Sequence, residues 1–277
     1  MNPDPLYSPR VVRDLLDRHG LKPTRSLGQN FLIDGNVLRL IVTAAGVNEA
    51  SSVLEVGPGL GVLTAALAET GARVTTVEKD ARLAPVLRET LGGFPNVQVV
   101  LEDALTFDLG VLPSGSVFVS NLPYYVSTAI LNRMLGSGKF DRLTVLVHRE
   151  VADRLTARPN EAAFGFLSAV IGLAGTATRV RDVPKNAFYP APDVTSSIVT
   201  ITPTPGAAVP AGVVRVLEAA LHHRRKTLRN NLNLAGFPAE RVTAALADTG
   251  LSGDERAEAL PLAVYPRLAA ALGTLEG

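Results

Sequence analysis

The sequence predicts an α/β protein in which a mostly parallel sheet is wrapped by helices on both faces and followed by a small all-α domain. Three observations carry the prediction. Between residues 53 and 147, short apolar runs rich in β-branched residues alternate with helix-period stretches, as when successive βα units feed one sheet. Residues 202–212 then collect prolines, glycines and small side chains, the composition of a linker. From 213 to 272 only helical spacing remains, so the expected domains are 1–203 and 204–277.

The elements follow in order. Residues 10–19 read as a short amphipathic helix within a basic-leaning segment, 1–30, where Arg10, Arg13, Arg18, Lys22 and Arg25 outnumber Asp4, Asp14 and Asp17. Asp34 is placed to cap a helix over 35–45, because Val37, Leu38, Ile41 and Val42 recur at helical spacing. Strands are expected at 53–56, 73–77, 97–101, 117–120 and 143–147, with helices at 60–69, 82–91 and 128–135 between them. A helix over 161–173 and a late strand at 197–201 complete the first domain. Helices at 213–233, 239–248, 253–259 and 262–272 make the second.

Composition narrows the chemistry. At 277 residues and 47% hydrophobic the chain can fill a large core, so disorder is excluded as its main state. With no cysteine, a disulfide scaffold, a thiolate metal site, an iron–sulfur centre and a cysteine nucleophile are excluded together. Twenty-seven basic against twenty-six acidic side chains give a net charge of +1, so only local clusters point to partners. No apolar run approaches the roughly 18 residues of a membrane helix, and the first 13 residues lack a signal peptide's apolar stretch. The expectation is a cytoplasmic protein away from membranes. His148 ends an apolar strand and reads as a packing residue. The neighbouring His222 and His223 point differently on a helix, so no metal site is expected.

Chemistry concentrates at the strand ends. Gly57-Pro58-Gly59-Leu60-Gly61 follows the first strand of the alternation. Glycines there let a ligand approach the backbone, and the next helix offers free N–H groups, although a plain tight turn has the same composition. Val62 stands where a dinucleotide fingerprint has glycine or alanine, which disfavours a nicotinamide oxidoreductase. Glu78 ends the second strand, where a carboxylate can hold a ribose diol. Asp103 follows the third, where it can receive an adenine amine or simply cap a helix. A glycine loop and two acids along one sheet edge fit an adenosine-bearing cofactor without a pyrophosphate.

After the fourth strand comes Asn121-Leu122-Pro123-Tyr124, in isolation an ordinary proline turn. With this tetrapeptide the chain resembles the S-adenosylmethionine-dependent adenine amino-methyltransferases, specifically the KsgA-type small-subunit ribosomal RNA adenine dimethyltransferases. Further matching motifs are Gly28-Gln29-Asn30-Phe31-Leu32, Glu55-Val56-Gly57-Pro58-Gly59, Phe188-Tyr189-Pro190-Ala191-Pro192 and Arg224-Arg225-Lys226-Thr227-Leu228-Arg229-Asn230. Tyr125 departs from the asparagine common there, and Asp193 from a frequent basic residue. The resemblance implies a Rossmann-like methyltransferase sheet that binds S-adenosyl-L-methionine through Asn30, Leu32, Gly57, Gly59, Glu78, Asp103 and Asn121. It also implies transfer to the N6 amines of two adjacent adenines near the 3′ end of 16S rRNA, in the small (30S) ribosomal subunit or its precursor, by a monomer.

The catalytic group expected is Asn121, Leu122, Pro123 and Tyr124, with Phe188 as a second aromatic wall. An adenine amine is a poor nucleophile because its lone pair is delocalised into the ring. Two acceptors, the Asn121 amide oxygen and the Leu122 carbonyl, can hold its N–H bonds while Pro123 stiffens the turn and Tyr124 stacks on the base. Arg224, Arg225, Lys226 and Arg229, expected on one helix, are candidates for RNA phosphate, the alternative being a solvated helix face. The rival readings are a 23S rRNA adenine N6-methyltransferase of the resistance type and a non-catalytic ribosome-assembly or transcription factor on the same fold.

Overall fold

The computed structural model describes residues 4–23, 29–123, 126–206 and 209–273. Its helices and strands run, in chain order, α1 (Pro9–Arg18), β1 (Phe31–Leu32), α2 (Gly35–Ala45), β2 (Ser52–Val56), α3 (Val62–Ala68), β3 (Arg73–Glu78), α4 (Ala84–Leu91), β4 (Val97–Leu101), β5 (Ser116–Asn121), α5 (Ser127–Gly136), β6 (Phe140–His148), α6 (Arg149–Thr156), α7 (Phe166–Ala174), β7 (Gly175–Val183), β8 (Phe188–Tyr189), β9 (Ser196–Pro203), α8 (Ala211–Leu221), α9 (Leu228–Leu234), α10 (Ala239–Thr249) and α11 (Val264–Leu272). Contacts divide the chain into two compact units, 1–152 with 178–203, and 153–177 with 204–277. Residues 153–177, which sequence reading places with the sheet, group with the C-terminal helices. Phe164 and Ala169 share a core there with Val213, Leu217 and Tyr265.

In the first unit seven strands stand in the order β4-β3-β2-β5-β6-β9-β7. From β4 through β6 neighbours are parallel, and β9 pairs with β6 antiparallel. The chain therefore builds outward from β2 to β4, returns to β5, and builds outward the other way. That reversal makes the β2–β5 boundary a topological switch point, where open α/β sheets form their ligand crevice. The two strands pair only at Val53↔Val117 and Leu54↔Phe118. Beyond these pairs the Ser120 hydroxyl bridges the gap, donating to the Val56 carbonyl at 2.7 Å.

Val53, Val74, Val119 and Leu146 of the sheet are covered by Val37, Leu38 and Ile41 of α2 and by Leu63 and Leu67 of α3. Val12, Leu15 and Leu16 of α1 pack with Val86, Leu87 and Leu91 of α4. Asp34 caps α2 as expected, accepting from Asn36 N (2.8 Å) and Val37 N (3.1 Å).

Several expectations need correction. β7, α6 and a two-stranded antiparallel ribbon of β1 with β8 add to the predicted set; the ribbon strands are two residues long and leave no periodic signal. The helix expected over 161–173 starts only at Phe166. The helix expected over 213–233 is two helices. Thr227 accepts from Asn230 N (3.4 Å) and starts α9 afresh, while Asn231 Nδ2 donates to the Ala220 and His223 carbonyls (2.7 and 3.1 Å) and folds the turn between them. At 253–259 only Ala257–Ala259 is helical, as a single 3₁₀ turn; the Glu255 carboxylate takes Ser252 N (3.0 Å) and Gly253 N (2.7 Å) into a tight loop instead.

Candidate active site

A cavity of about 430 Å³ opens at the switch point. Asn30, Leu32, Gly57, Gly59, Glu78, Asp103, Asn121, Leu122 and Pro123, expected from sequence, all line it. They arrive from β1, the turn after β2, the end of β3, the loop after β4 and the end of β5, so the topology itself converges them.

The loop after β2 is folded by its glycines. Gly57, Gly59 and Gly61 have φ of +71°, +59° and +84°, the left-handed region disfavoured for side-chain-bearing residues. A Cβ at Gly57 would lie 3.3 Å from Pro123 Cγ, and one at Gly59 3.1 Å from the Phe31 ring. The loop thus fits closely beneath the 121–123 turn and β1, and its backbone forms the cavity floor.

Acids dominate the polar lining, with Glu55, Glu78, Asp80 and Asp103 against Lys79. Glu78 Oε1 accepts from Asp80 N (2.8 Å) and Oε2 from Gly59 N (3.4 Å). Burial nevertheless pushes its pKa up, outweighing those bonds. Asp103 Oδ2 takes Lys79 Nζ at 2.7 Å and Oδ1 takes Leu105 N at 2.9 Å; the lysine, then the backbone bond, hold its carboxyl below the usual range. Asp80 is lowered chiefly by Arg82, whose Nη2 lies 2.6 Å away, and also receives Gln29 Nε2 at 3.1 Å.

Glu55 is the residue that sequence reasoning did not single out. Only 1% exposed, it sits on β2 at the cavity wall with Oε2 accepting from Thr64 Oγ1 at 2.6 Å. Desolvation raises its pKa to about 7, against the Thr64 bond and with a push from the Glu78 charge. A charged residue in the middle of an apolar strand run was the available signal.

Asn121 Nδ2 donates to the Asn30 carbonyl at 3.2 Å. That bond assigns the amide's orientation and leaves its oxygen with no hydrogen bond among the described residues. The Leu122 N–H donates to the Leu146 carbonyl (3.1 Å), and the Pro123 carbonyl accepts from Val126 N (3.3 Å), so the turn is pinned on both sides. Tyr124 and Tyr125 lie outside the described residues.

Phe188 does not line this cavity; at 2% exposed it is buried with Leu32, Val37, Val183 and Ile198 in the core beneath the ribbon. Its strand pairs with β1 through Phe31↔Tyr189 and Leu32↔Phe188, joining two of the quoted sequence motifs. The aromatic at 188 faces the core because its strand alternates, placing 189 on the other side, where the Arg13 guanidinium lies 5.8 Å from the Tyr189 ring centre.

The basic cluster is also rearranged. Arg224, Arg225 and Lys226 are exposed in the α8–α9 turn rather than on a helix, and none makes an ion pair among the described residues. Arg229 belongs to α9 and is committed to the fold, with Nη1 on Thr243 Oγ1 (3.1 Å) and Nη2 on the Ser252 carbonyl (2.8 Å). Among the described residues no group of three or more histidine, aspartate or glutamate side chains is arranged to hold a metal ion, and no helix is long and apolar enough to cross a membrane.

S-adenosylmethionine fits this donor set. Its cation suits four carboxylates and its lack of a pyrophosphate suits the shortage of bases. Glu78 offers acceptors for a ribose diol, and Leu32, Leu105 and Ile130 offer apolar wall. A sheet of this order with an acidic, glycine-floored crevice at its switch point defines an S-adenosylmethionine-dependent methyltransferase. The model of the ribosomal RNA adenine dimethylase family matches residues 20–272, and the chain belongs to that family. A Deinococcus radiodurans protein named ribosomal RNA small subunit methyltransferase A is 53% identical over 276 residues, 98% of this chain and 93% of its own length. The crystal structure of the 23S rRNA methyltransferase ErmE aligns with a TM-score of 0.65 at 29% identity, covering 88% of this chain and 99% of that one. A dimethyladenosine transferase from Plasmodium falciparum aligns with a TM-score of 0.74 at 24% identity, covering 86% and 95%, and supports the fold.

Proposed function

We propose that the chain transfers methyl groups from S-adenosylmethionine to the N6 amines of two adjacent adenines near the 3′ end of 16S rRNA, within the small ribosomal subunit or its precursor. It acts as a cytoplasmic monomer, without a metal. Asn30, Leu32, Gly57, Gly59, Glu78 and Asp103 hold the cofactor, and Arg224, Arg225 and Lys226 hold RNA phosphate. The observation that carries the reading is the orientation of Asn121, whose amide nitrogen is tied to the Asn30 carbonyl while its oxygen stays available beside the acidic crevice.

That orientation does the chemical work. An extruded adenine presents an amine with two N–H bonds. The Asn121 oxygen accepts one and the Leu122 carbonyl the other, drawing the nitrogen lone pair out of conjugation and aiming it into the crevice. The Leu122–Leu146 and Pro123–Val126 bonds keep the turn and its Leu122 carbonyl from swinging, and the Asn30 carbonyl holds the Asn121 amide. When bound, S-adenosylmethionine supplies a methyl on a sulfonium, a leaving group that needs no acid. The chain's part is alignment, which contributes roughly 7 to 11 kcal/mol in well-oriented systems. The amine proton departs late, so no strong base is needed. Dimethylation of both bases requires four transfers, the second on each base to a methylated amine with one N–H left for the two acceptors to hold.

The 53% identity to a small-subunit enzyme, against 29% to the 23S rRNA methyltransferase, favours the small subunit over the resistance-type rival. Incubation of the protein with labelled S-adenosylmethionine and separated, undermethylated ribosomal subunits tests the choice. Label is expected in the RNA of the small subunit; label in the large subunit, or in neither, refutes it.

A further inference from the structure

We propose that Arg133, which lies outside the crevice, is a positioning residue for the cofactor's adenine. It holds the turn that carries Asp103 to α5, and so sets how strongly the crevice prefers adenine over a base that lacks the amine. The inference rests on the reading in which Asp103 receives that amine.

The turn is wound on Asp103. The Asp103 carbonyl accepts from Thr106 N (2.9 Å) and Phe107 N (3.0 Å), and its Oδ1 accepts from Leu105 N (2.9 Å). These bonds are internal to residues 103–107, so they shape the turn without placing it. Two cations tie it to other elements. Lys79 Nζ meets Asp103 Oδ2 at 2.7 Å, but the lysine side chain is 65% exposed, and a pair on a flexible stem in water holds weakly. Arg133 reaches the turn from behind. Its half-buried guanidinium donates through Nη1 to the Ala104 carbonyl (2.9 Å) and through Nη2 to the Phe107 carbonyl. Ala104 and Phe107 are both buried, where an acceptor that loses its donor is costly. One planar fork on two carbonyls three residues apart fixes both ends of the turn together.

The helix that supplies the fork is itself part of the crevice. Val126, at the start of α5, and Ile130 line the cavity, as do Asp103, Ala104 and Leu105. Arg133 follows Ile130 by three residues and shares its side of the helix. α5 is therefore one wall of the crevice and the anchor of the next. Glu78, by contrast, is held by Asp80 N and Gly59 N on β3 and the loop after β2. Loosening the 103–107 turn should accordingly disturb the adenine end of the cofactor and spare the ribose end.

The test is calorimetry on the full chain with two ligands, S-adenosylhomocysteine and S-inosylhomocysteine, which carries a carbonyl where adenine has its amine. Parent, Arg133→Met and Arg133→Lys are compared. Arg133→Met is expected to bind the adenosyl form several-fold more weakly and the inosyl form as the parent does, with Arg133→Lys, able to reach one carbonyl, between the two. Both ligands bind only the folded chain, so a loss of folded protein lowers the two affinities in proportion and leaves their ratio unchanged. The ratio therefore separates positioning of Asp103 from general destabilisation. Equal weakening of both ligands, or parental affinities in Arg133→Met, overturns the inference. A parent that binds the two forms equally overturns instead the assignment of Asp103 to the adenine amine, on which the inference rests.

Discussion

Replacing Glu55 by glutamine isolates the electrostatics of the crevice. Burial holds this carboxyl at a pKa of about 7 against 4.5 when exposed. At about 1.4 kcal/mol per pH unit the difference is worth about 3 kcal/mol. The folded chain keeps the proton up to about pH 7 and the unfolded chain releases it near 4.5. The stabilisation is therefore complete below pH 4.5, declines above it, and is lost as pH rises through 7. Glutamine preserves the shape and an oxygen for the Thr64 hydroxyl, but does not titrate. Glu55→Gln is thus expected to match the parent at pH 4.5 and to exceed it by about 3 kcal/mol at pH 8, measured by urea unfolding followed by circular dichroism. The lowered His148 acts oppositely and equally in both proteins, so it cancels in the difference; Glu78 cancels only in its own burial, because its repulsion with Glu55 is part of the parent's loss above pH 7 and is absent from the variant. Curves for parent and variant that run parallel from pH 4.5 to 8 would refute the argument, because they would mean the carboxyl titrates as if in water.

Asn121→Ala removes one of two acceptors for the adenine amine and should lower kcat by about 10²- to 10³-fold while affinity for the small subunit changes little, as read by methyl transfer beside a binding assay. Arg224→Ala/Arg225→Ala should weaken RNA binding and reduce the slope of log affinity against log salt by about 1.5 to 2, with S-adenosylmethionine affinity intact by calorimetry. Arg133 ties the loop behind Asp103 to α5, with Nη1 on the Ala104 carbonyl (2.9 Å) and Nη2 on that of Phe107. Arg133→Met should raise KM for S-adenosylmethionine several-fold with kcat preserved, and Arg133→Lys should recover part of the loss. Phe188→Ala, emptying a buried site, should cost about 3 to 5 kcal/mol in urea unfolding; an unchanged stability with lost transfer would restore an aromatic-wall role.

The alternating half of the fold was legible because each βα unit repeats a periodic signal, and the strands at 53–56, 73–77, 97–101 and 117–120 lie within those found. The crevice residues were legible for a related reason. In a sheet with a switch point, strand ends converge wherever the strands themselves are correctly found, so Gly57, Glu78, Asp103 and Asn121 could be grouped before any distance was known. What stayed hidden depends on partners far along the chain. The β1–β8 ribbon rests on pairing between residues 31–32 and 188–189, and two-residue strands have no period. The break at 222–227 rests on the Asn231 side chain reaching back to two carbonyls, which helix propensity does not register; a basic run on a turn and one on a helix have the same composition. Glu55 carried a local signal, a charge inside the apolar run Val53-Leu54-Glu55-Val56, but the run does not show which partners or cavity a buried carboxyl there will meet.

These hidden pieces orient the visible ones. Asn121 is useful only with its oxygen outward, and that depends on the Asn30 carbonyl holding its nitrogen. Asn30 precedes β1, whose place is fixed by its pairing with β8 and by the Phe31 ring lying against the Gly59 turn. β8 in turn is anchored by Phe188 in the core. The orientation of the Asn121 amide, on which the proposed grip on the adenine amine depends, is therefore set by a chain of side-chain and main-chain contacts linking residues near 30, 59, 121 and 188. Such a chain transmits error at each step: a shift of the ribbon by one residue would exchange Phe188 and Tyr189, expose the anchor and withdraw the carbonyl that aims Asn121. In this fold the core position of Phe188 and the outward orientation of the Asn121 oxygen are one structural requirement.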